Sequence, residues 1–235
     1  MRYAIYFTPD QDDPLARIAA SWLGRDPFNG EVPRPPSVTK LSSPEIAYHT
    51  ASARRYGFHA TLKAPFMLAD GKTESELDEA LASFSAAAEP VRLTGLAPAR
   101  LDGFLALVPA GPLPDLDQLA AEIVRVFEPY RAPLSEADIK RRNPDALSPD
   151  QFRNLCQWGY PYVFDSFRFH MTLTGRVSDH DLPRVRAAID QVFAPALANP
   201  ISLDGLALFV EPEPGAPFVV KSWYRLGRRL ERKTA

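Results

Sequence analysis

The sequence predicts an α+β fold of two similar lobes, each an antiparallel sheet with flanking helices, related by a pseudo-twofold axis around a central groove. Two observations carry that expectation. The first is a short pattern found twice, Phe58-His59-Ala60-Thr61-Leu62 and Phe169-His170-Met171-Thr172-Leu173. With nine threonines and four histidines in 235 residues, composition does not explain two such coincidences. The second is the sequel of each copy: a helix-patterned stretch, then Pro-x-x-Leu-x-Gly-Leu at 90–96 and 200–206, then a further apolar run. His59 precedes Gly95 by 36 residues and His170 precedes Gly205 by 35, so the order of elements repeats nearly in register.

The elements follow in order from local patterning. Residues 2–8 alternate as a strand, and Asp13 with Pro14 behind it is a cap-and-start signal for a helix that Gly24 ends. Residues 25–44 read as a loop, with Ser43-Pro44-Glu45 opening a short helix before the first histidine strand. Thr73 and Glu76 make a capping box for a helix running to about Ala88. Strands are expected at 90–96 and 104–108, and a helix from Asp115 to Phe127. In the second half a helix is expected from about Ser178 to Ala198, then strands at 200–206 and 218–226. The expected division is an N-terminal lobe over 1–129, an inserted helical segment over 130–164 placed to cover the groove, and a C-terminal lobe over 165–235. Helix starts at Ser135-Glu136-Ala137-Asp138 and Ser148-Pro149-Asp150-Gln151 mark the insertion.

Composition narrows the class. A chain of 235 residues with 46% hydrophobic content can bury a substantial core. Its single Cys156 excludes a disulfide framework and a cysteine-rich zinc site. No apolar run is long enough to span a bilayer, and the first residues lack a signal-peptide pattern, so a cytoplasmic location with no membrane association is expected. A net charge of −2 argues against a broad nucleic-acid surface while leaving room for a local basic pocket. The 24 prolines are scattered and read as structured loops. The run Lys140-Arg141-Arg142 reads as a solvated helix face, or alternatively as part of a lid contacting a second phosphate, and Arg228–Lys233 reads as a solvated tail.

The chemistry starts from strand geometry. Residues i and i+2 of a strand share a face, so each copy sets an imidazole beside a hydroxyl. Two such pairs facing one cleft supply two proton-transfer groups and two hydrogen-bond donors for an anion. There is no Gly-x-Ser-x-Gly elbow, no Gly-x-x-x-x-Gly-Lys-Ser/Thr phosphate loop and no His-Glu-x-x-His helix, and the four dispersed histidines do not suggest a metal cluster. No metal and no cofactor are expected.

The paired His-x-Thr motifs, the duplicated order and the lack of metal ligands resemble the two-histidine (2H) phosphoesterase superfamily. The runs YGFHATLKAPF and WGYPYV ahead of FRFHMTLTG resemble its phosphonate-metabolism-associated branch. The resemblance covers nearly the whole chain and implies a metal-independent cyclic phosphodiesterase-like hydrolase that acts on a ribosyl or nucleotide cyclic phosphate; the resemblance to that branch implies a place in phosphonate breakdown. His59 and His170 are then the acid and the base, in either order, because an unperturbed imidazole titrates near neutrality. Thr61 and Thr172 are expected to donate to the non-bridging phosphate oxygens. By period two, Lys63 shares the face of Thr61 and Arg168 that of His170, which makes both substrate-binding candidates, with Tyr56 and Tyr162 as aromatic walls. The expected partner is a small phosphorylated substrate such as a nucleotide or an RNA end, with no obligate protein partner. The rival reading is a non-catalytic nucleotide or phosphometabolite-binding protein.

Overall fold

Nine strands and seven α-helices make up the computed structural model among the described residues, 1–227, so the basic run at 228–233 lies outside them. In chain order these are β1 (Arg2–Phe7), α1 (Pro14–Leu23), α2 (Ser43–Arg54), β2 (Ala60–Phe66), α3 (Glu74–Ala87), β3 (Val91–Leu93), β4 (Ala97–Leu101), β5 (Phe104–Val108) and α4 (Pro114–Val126). Then come α5 (Glu136–Arg141), α6 (Pro149–Trp158), β6 (Met171–Arg176), α7 (Leu182–Leu197), β7 (Ile201–Leu203), β8 (Gly205–Glu211) and β9 (Val219–Arg225). The caps are those the sequence calls for. The Asp13 carboxylate accepts from the Leu15 amide at 2.7 Å, and Thr73 and Glu76 close a reciprocal box at the start of α3. Two helices are thereby started by short-range chemistry alone.

Three sheets, all antiparallel, follow the orders β2-β1-β8-β9, β4-β5-β6 and β3-β7. The first contains the strand that follows His59 and the second the strand that follows His170. The small third sheet shows the pseudosymmetry directly. Val91 pairs with Leu203, Arg92 with Ser202 and Leu93 with Ile201, so the two copies of Pro-x-x-Leu cross at their shared midpoint. The pseudo-twofold axis passes between Arg92 and Ser202.

This topology corrects the expected lobe boundaries. The repeated unit is β1-α1-α2-β2-α3-β3-β4 against β5-α4-α5-α6-β6-α7-β7-β8, with β9 added at an edge. Each unit gives its last strand to the other lobe: β8 completes the sheet of β1 and β2, and β4 completes the sheet of β5 and β6. Residue 129 is therefore no lobe boundary. Likewise the segment 130–164 occupies the place that the loop and α2 hold in the first unit, as a longer counterpart of them. The physical reason is that an edge strand left open is satisfied by whatever strand the tertiary fold brings alongside, and local patterning does not name that partner.

One continuous core ties the halves together. Buried Trp22 of α1 packs edge-on against Phe193 of α7 and donates its indole N–H to the Leu173 carbonyl of β6 at 2.9 Å. A smaller cluster of Ala4, Tyr6, Ala207, Phe209 and Phe218 lies on the other face of the first sheet, with Tyr56 packed against it. That second face opens on the groove.

Candidate functional site

His59 and His170 each stand immediately before the first residue of their strands, β2 and β6. Both rings are held in the same local way. His59 Nδ1 lies 3.0 Å from the Gly57 carbonyl and His170 Nδ1 lies 2.8 Å from the Arg168 carbonyl, two residues back in each case. A carbonyl only accepts, so Nδ1 carries the proton and Nε2 is the nitrogen left for chemistry. At the first copy this geometry needs Gly57: its φ is +76°, and a Cβ there would stand 2.7 Å from Pro27. Buried Arg25 fixes the approach by donating to the carbonyls of Arg54, Arg55 and Phe218.

Both histidines and both threonines line one groove of about 880 Å³. Tyr6 stands opposite Thr61 in the β1–β2 ladder and stacks on the His59 ring, with centroids 4.0 Å apart at 25°. Small Ala106 stands opposite Thr172, and Phe104 lies 5.8 Å from the His170 ring. Burial strips water from the His59 imidazolium more than the Gly57 carbonyl compensates, and nearby His170 disfavours a second charge, so the His59 pKa falls to about 4. His59 is neutral at physiological pH.

The groove is cationic. Arg2, Arg55, Arg141, Arg142 and Arg176 line it, against the carboxylates Glu211 and Asp138. Glu211 is 1% exposed and is ion-paired to both Arg2 and Arg55. Burial by itself raises its pKa; the Arg2 guanidinium, the Gly215 amide and Arg55 outweigh that and hold the group at about 2. Arg2 and Arg55 are thus pinned at the wall while keeping donors to spare.

The structure sorts the expected substrate contacts. Tyr56 lines the groove, its ring 5.9 Å from that of His59 and stacked on Phe218. Tyr162 is 45% exposed and packs edge-on against Tyr160, which is the tyrosine that lines the groove. Arg168 is exposed and its side chain does not line the groove; its backbone carbonyl orients His170. Lys63 is buried, donating to Glu128 at 2.9 Å and to the Val124 carbonyl at 3.1 Å beneath α4. A β-bulge explains it. Tyr6 pairs with Thr61 and Ile5 with Lys63, so Leu62 is an extra residue that turns Lys63 to the opposite face.

Sequence reasoning missed Tyr6, Tyr160, Arg2, Arg55, Arg176 and Glu211. Arg176 had a signal, four places beyond Thr172 on the same strand; the others reach the groove only through strand pairing and helix placement. Among the described residues no cluster of three His, Cys, Asp or Glu side chains could hold a metal ion. No helix among them is long and apolar enough to cross a membrane.

A family model described as "Protein of unknown function (DUF1045)" matches residues 61–219. Two curated relatives are each named "Ribose 1,5-bisphosphate phosphokinase PhnN". That of Janthinobacterium sp. (strain Marseille) is 41% identical over 96% of this chain and 50% of its own length. That of Laribacter hongkongensis (strain HLHK9) is 38% identical over 93% of this chain and 50% of its own length. The chain thus spans about half the length of the curated relatives it matches. A solved structure described as "Crystal structure of phosphoesterase" aligns at 13% identity, with a TM-score of 0.40, over 96% of this chain and 98% of that one.

Proposed function

The chain belongs to the DUF1045 family, and we propose that it is a metal-independent phosphoesterase that hydrolyses a cyclic phosphodiester, with His59 and His170 as its two proton-transfer groups. One observation carries the reading: two His-x-Thr pairs, each imidazole oriented through Nδ1, open on one arginine-lined groove. Anion binding alone is satisfied by arginines and does not require two oriented imidazoles. The resemblance of the duplicated motif to the 2H phosphoesterases supports the same reaction class.

In this reading His59 is the base, since burial keeps it neutral, and the more open His170 is the acid. Water attacks phosphorus and gives a proton to His59 Nε2 as the new P–O bond forms. The ring P–O bond breaks, and His170 Nε2 delivers its proton to the departing sugar oxygen. The product is a phosphomonoester with a free hydroxyl, and exchange with solvent resets both rings. Thr61 and Thr172 donate to the non-bridging oxygens as their charge grows. A ribosyl or nucleotide cyclic phosphate is the proposed substrate. The name of the curated relatives concerns a ribose bisphosphate, and ring opening of a ribosyl cyclic phosphate yields a ribose phosphate ester. This chain has no phosphate-binding loop of the Gly-x-x-x-x-Gly-Lys-Ser/Thr type, and it matches only half the length of those relatives.

The test is turnover of cyclic phosphodiesters in the presence of a chelator, beside calorimetric affinity, for Thr61→Val and Thr172→Val. Each variant keeps the β-branched shape. Expected is a fall in kcat of roughly 10-fold or more per site, with a smaller change in affinity. Loss of affinity alone, with no wild-type turnover of any phosphodiester, establishes the binding-protein reading instead.

The depressed pKa of His59 sets the pH profile. A base must be unprotonated, so kcat/KM should hold from neutrality down to about pH 5 and fall as His59 protonates near 4. An acid limb centred near 6.5, the ordinary imidazole value, removes His59 from the role of base.

A further inference from the structure

The groove carries more positive charge than one phosphodiester needs. A cyclic phosphodiester is a monoanion, and the two threonine hydroxyls and the proton on the acid already meet it. Five guanidiniums line the same groove against two carboxylates, and each carboxylate is already engaged: Glu211 by Arg2 and Arg55, Asp138 by Arg141 at 2.8 Å. Among the described residues, Arg142 and Arg176 have no carboxylate partner. Arg176 is tied to the Asp102 carbonyl at 2.8 Å, on the His170 side. Arg142 is the C-cap of α5, and its guanidinium lies 5.1 Å over the ring of Tyr160. Stacking on a tyrosine holds the planar fork in place while leaving its N–H groups free to meet an anion. Tyr160 and Arg142 line the same groove as Tyr6 and Tyr56, whose rings border His59 of the first His-x-Thr pair.

We infer that Arg142, with Arg2 and Arg55, forms a second anion subsite that recognises a terminal phosphomonoester on the substrate, so the preferred substrate is a cyclic phosphodiester that already carries another phosphate. The inference rests on the phosphodiesterase reading for its substrate but not for its binding site. A phosphomonoester is close to a dianion at neutral pH and takes two or more guanidinium forks, which matches the excess charge. A volume of about 880 Å³ accommodates a sugar between the two anions. Hydrolysis would leave a product with two phosphomonoesters, so the reaction that supplies the substrate must form its cyclic diester on a compound already phosphorylated elsewhere.

The experiment has two arms on the full chain: wild type, Arg142→Met and Arg142→Lys. In the first, turnover is compared on adenosine 2′,3′-cyclic phosphate with and without a 5′-phosphate. In the second, calorimetry compares adenosine 3′,5′-bisphosphate with adenosine 3′-phosphate. Wild type should prefer the 5′-phosphorylated member of each pair by about 10- to 100-fold, the worth of one or two charge-assisted hydrogen bonds. Arg142→Met should abolish that preference through KM and Kd while changing the unphosphorylated member by less than about 2-fold, and Arg142→Lys should restore part of it. Turnover without a preference overturns the subsite and leaves the proposed reaction standing. A preference in binding that Arg142→Met removes, with no turnover of either compound, keeps the subsite and overturns the reaction. Equal or absent binding of both members, or equal loss on both in Arg142→Met, overturns the subsite.

Discussion

Under the proposed function, alanine at His59 or at His170 is expected to lower turnover of a cyclic phosphodiester by about 10²–10⁴-fold, the usual contribution of one positioned proton-transfer group. On the proposed mechanism the loss should fall mainly on kcat, because each imidazole moves its proton in the transition state. In the proposed mechanism both act in one displacement, so the double variant is expected to lose far less than the product of the single losses. The fold should survive. Each ring is held by a single hydrogen bond to a carbonyl two residues away, and His59 adds one stacking contact with Tyr6, together a modest share of the total. Single-turnover kinetics on purified variants with unchanged thermal transitions makes the measurement, and wild-type kcat in either variant removes that histidine from the mechanism.

Glutamine at Glu211 removes the charge that pins Arg2 and Arg55, and it should cost about 3 kcal/mol of stability at pH 7. Burial opposes the charge of Glu211, yet Arg2, the Gly215 amide and Arg55 hold its pKa at about 2, below the ordinary 4.5. A carboxyl whose folded pKa is depressed stabilises the fold above its unfolded pKa. That contribution is lost as pH falls from about 4.5 through about 2. Urea unfolding as a function of pH should show wild type and Glu211→Gln well separated at neutrality and converging toward pH 2. Two parallel curves, or no difference at pH 7, would mean that the carboxylate is not the anchor. With the two guanidiniums released, KM for an anionic substrate should also change, whereas the His59 acid limb near 4 should stay in place.

Several features of the site are properties of a few consecutive residues, and these are legible in the chain itself. A histidine and a threonine two places apart share a face because the strand period is two. Helix starts at Asp13, Thr73, Ser135 and Ser148 follow from side chains reaching amides within three residues. The duplication was equally plain, since it is a matter of order. Lys63 shows where this stops. Period two puts it beside Thr61, but the ladder with β1 spends Leu62 on a bulge and sends the ammonium to Glu128.

The sequence by itself determined the two His-x-Thr pairs, their helices and their repetition; only the tertiary structure decided which strands complete each lobe and which charges meet in the groove. Arg2 comes from the start of β1, Arg55 from the end of α2, Arg142 from the end of α5, Arg176 from β6 and Glu211 from β8. Glu211 meets Arg2 because β8 crosses to pair with β1. Local periodicity sets which way a side chain points relative to its neighbours in the chain. What it points at depends on long-range strand pairing, which is selected by burial of the whole core rather than by any short run of residues.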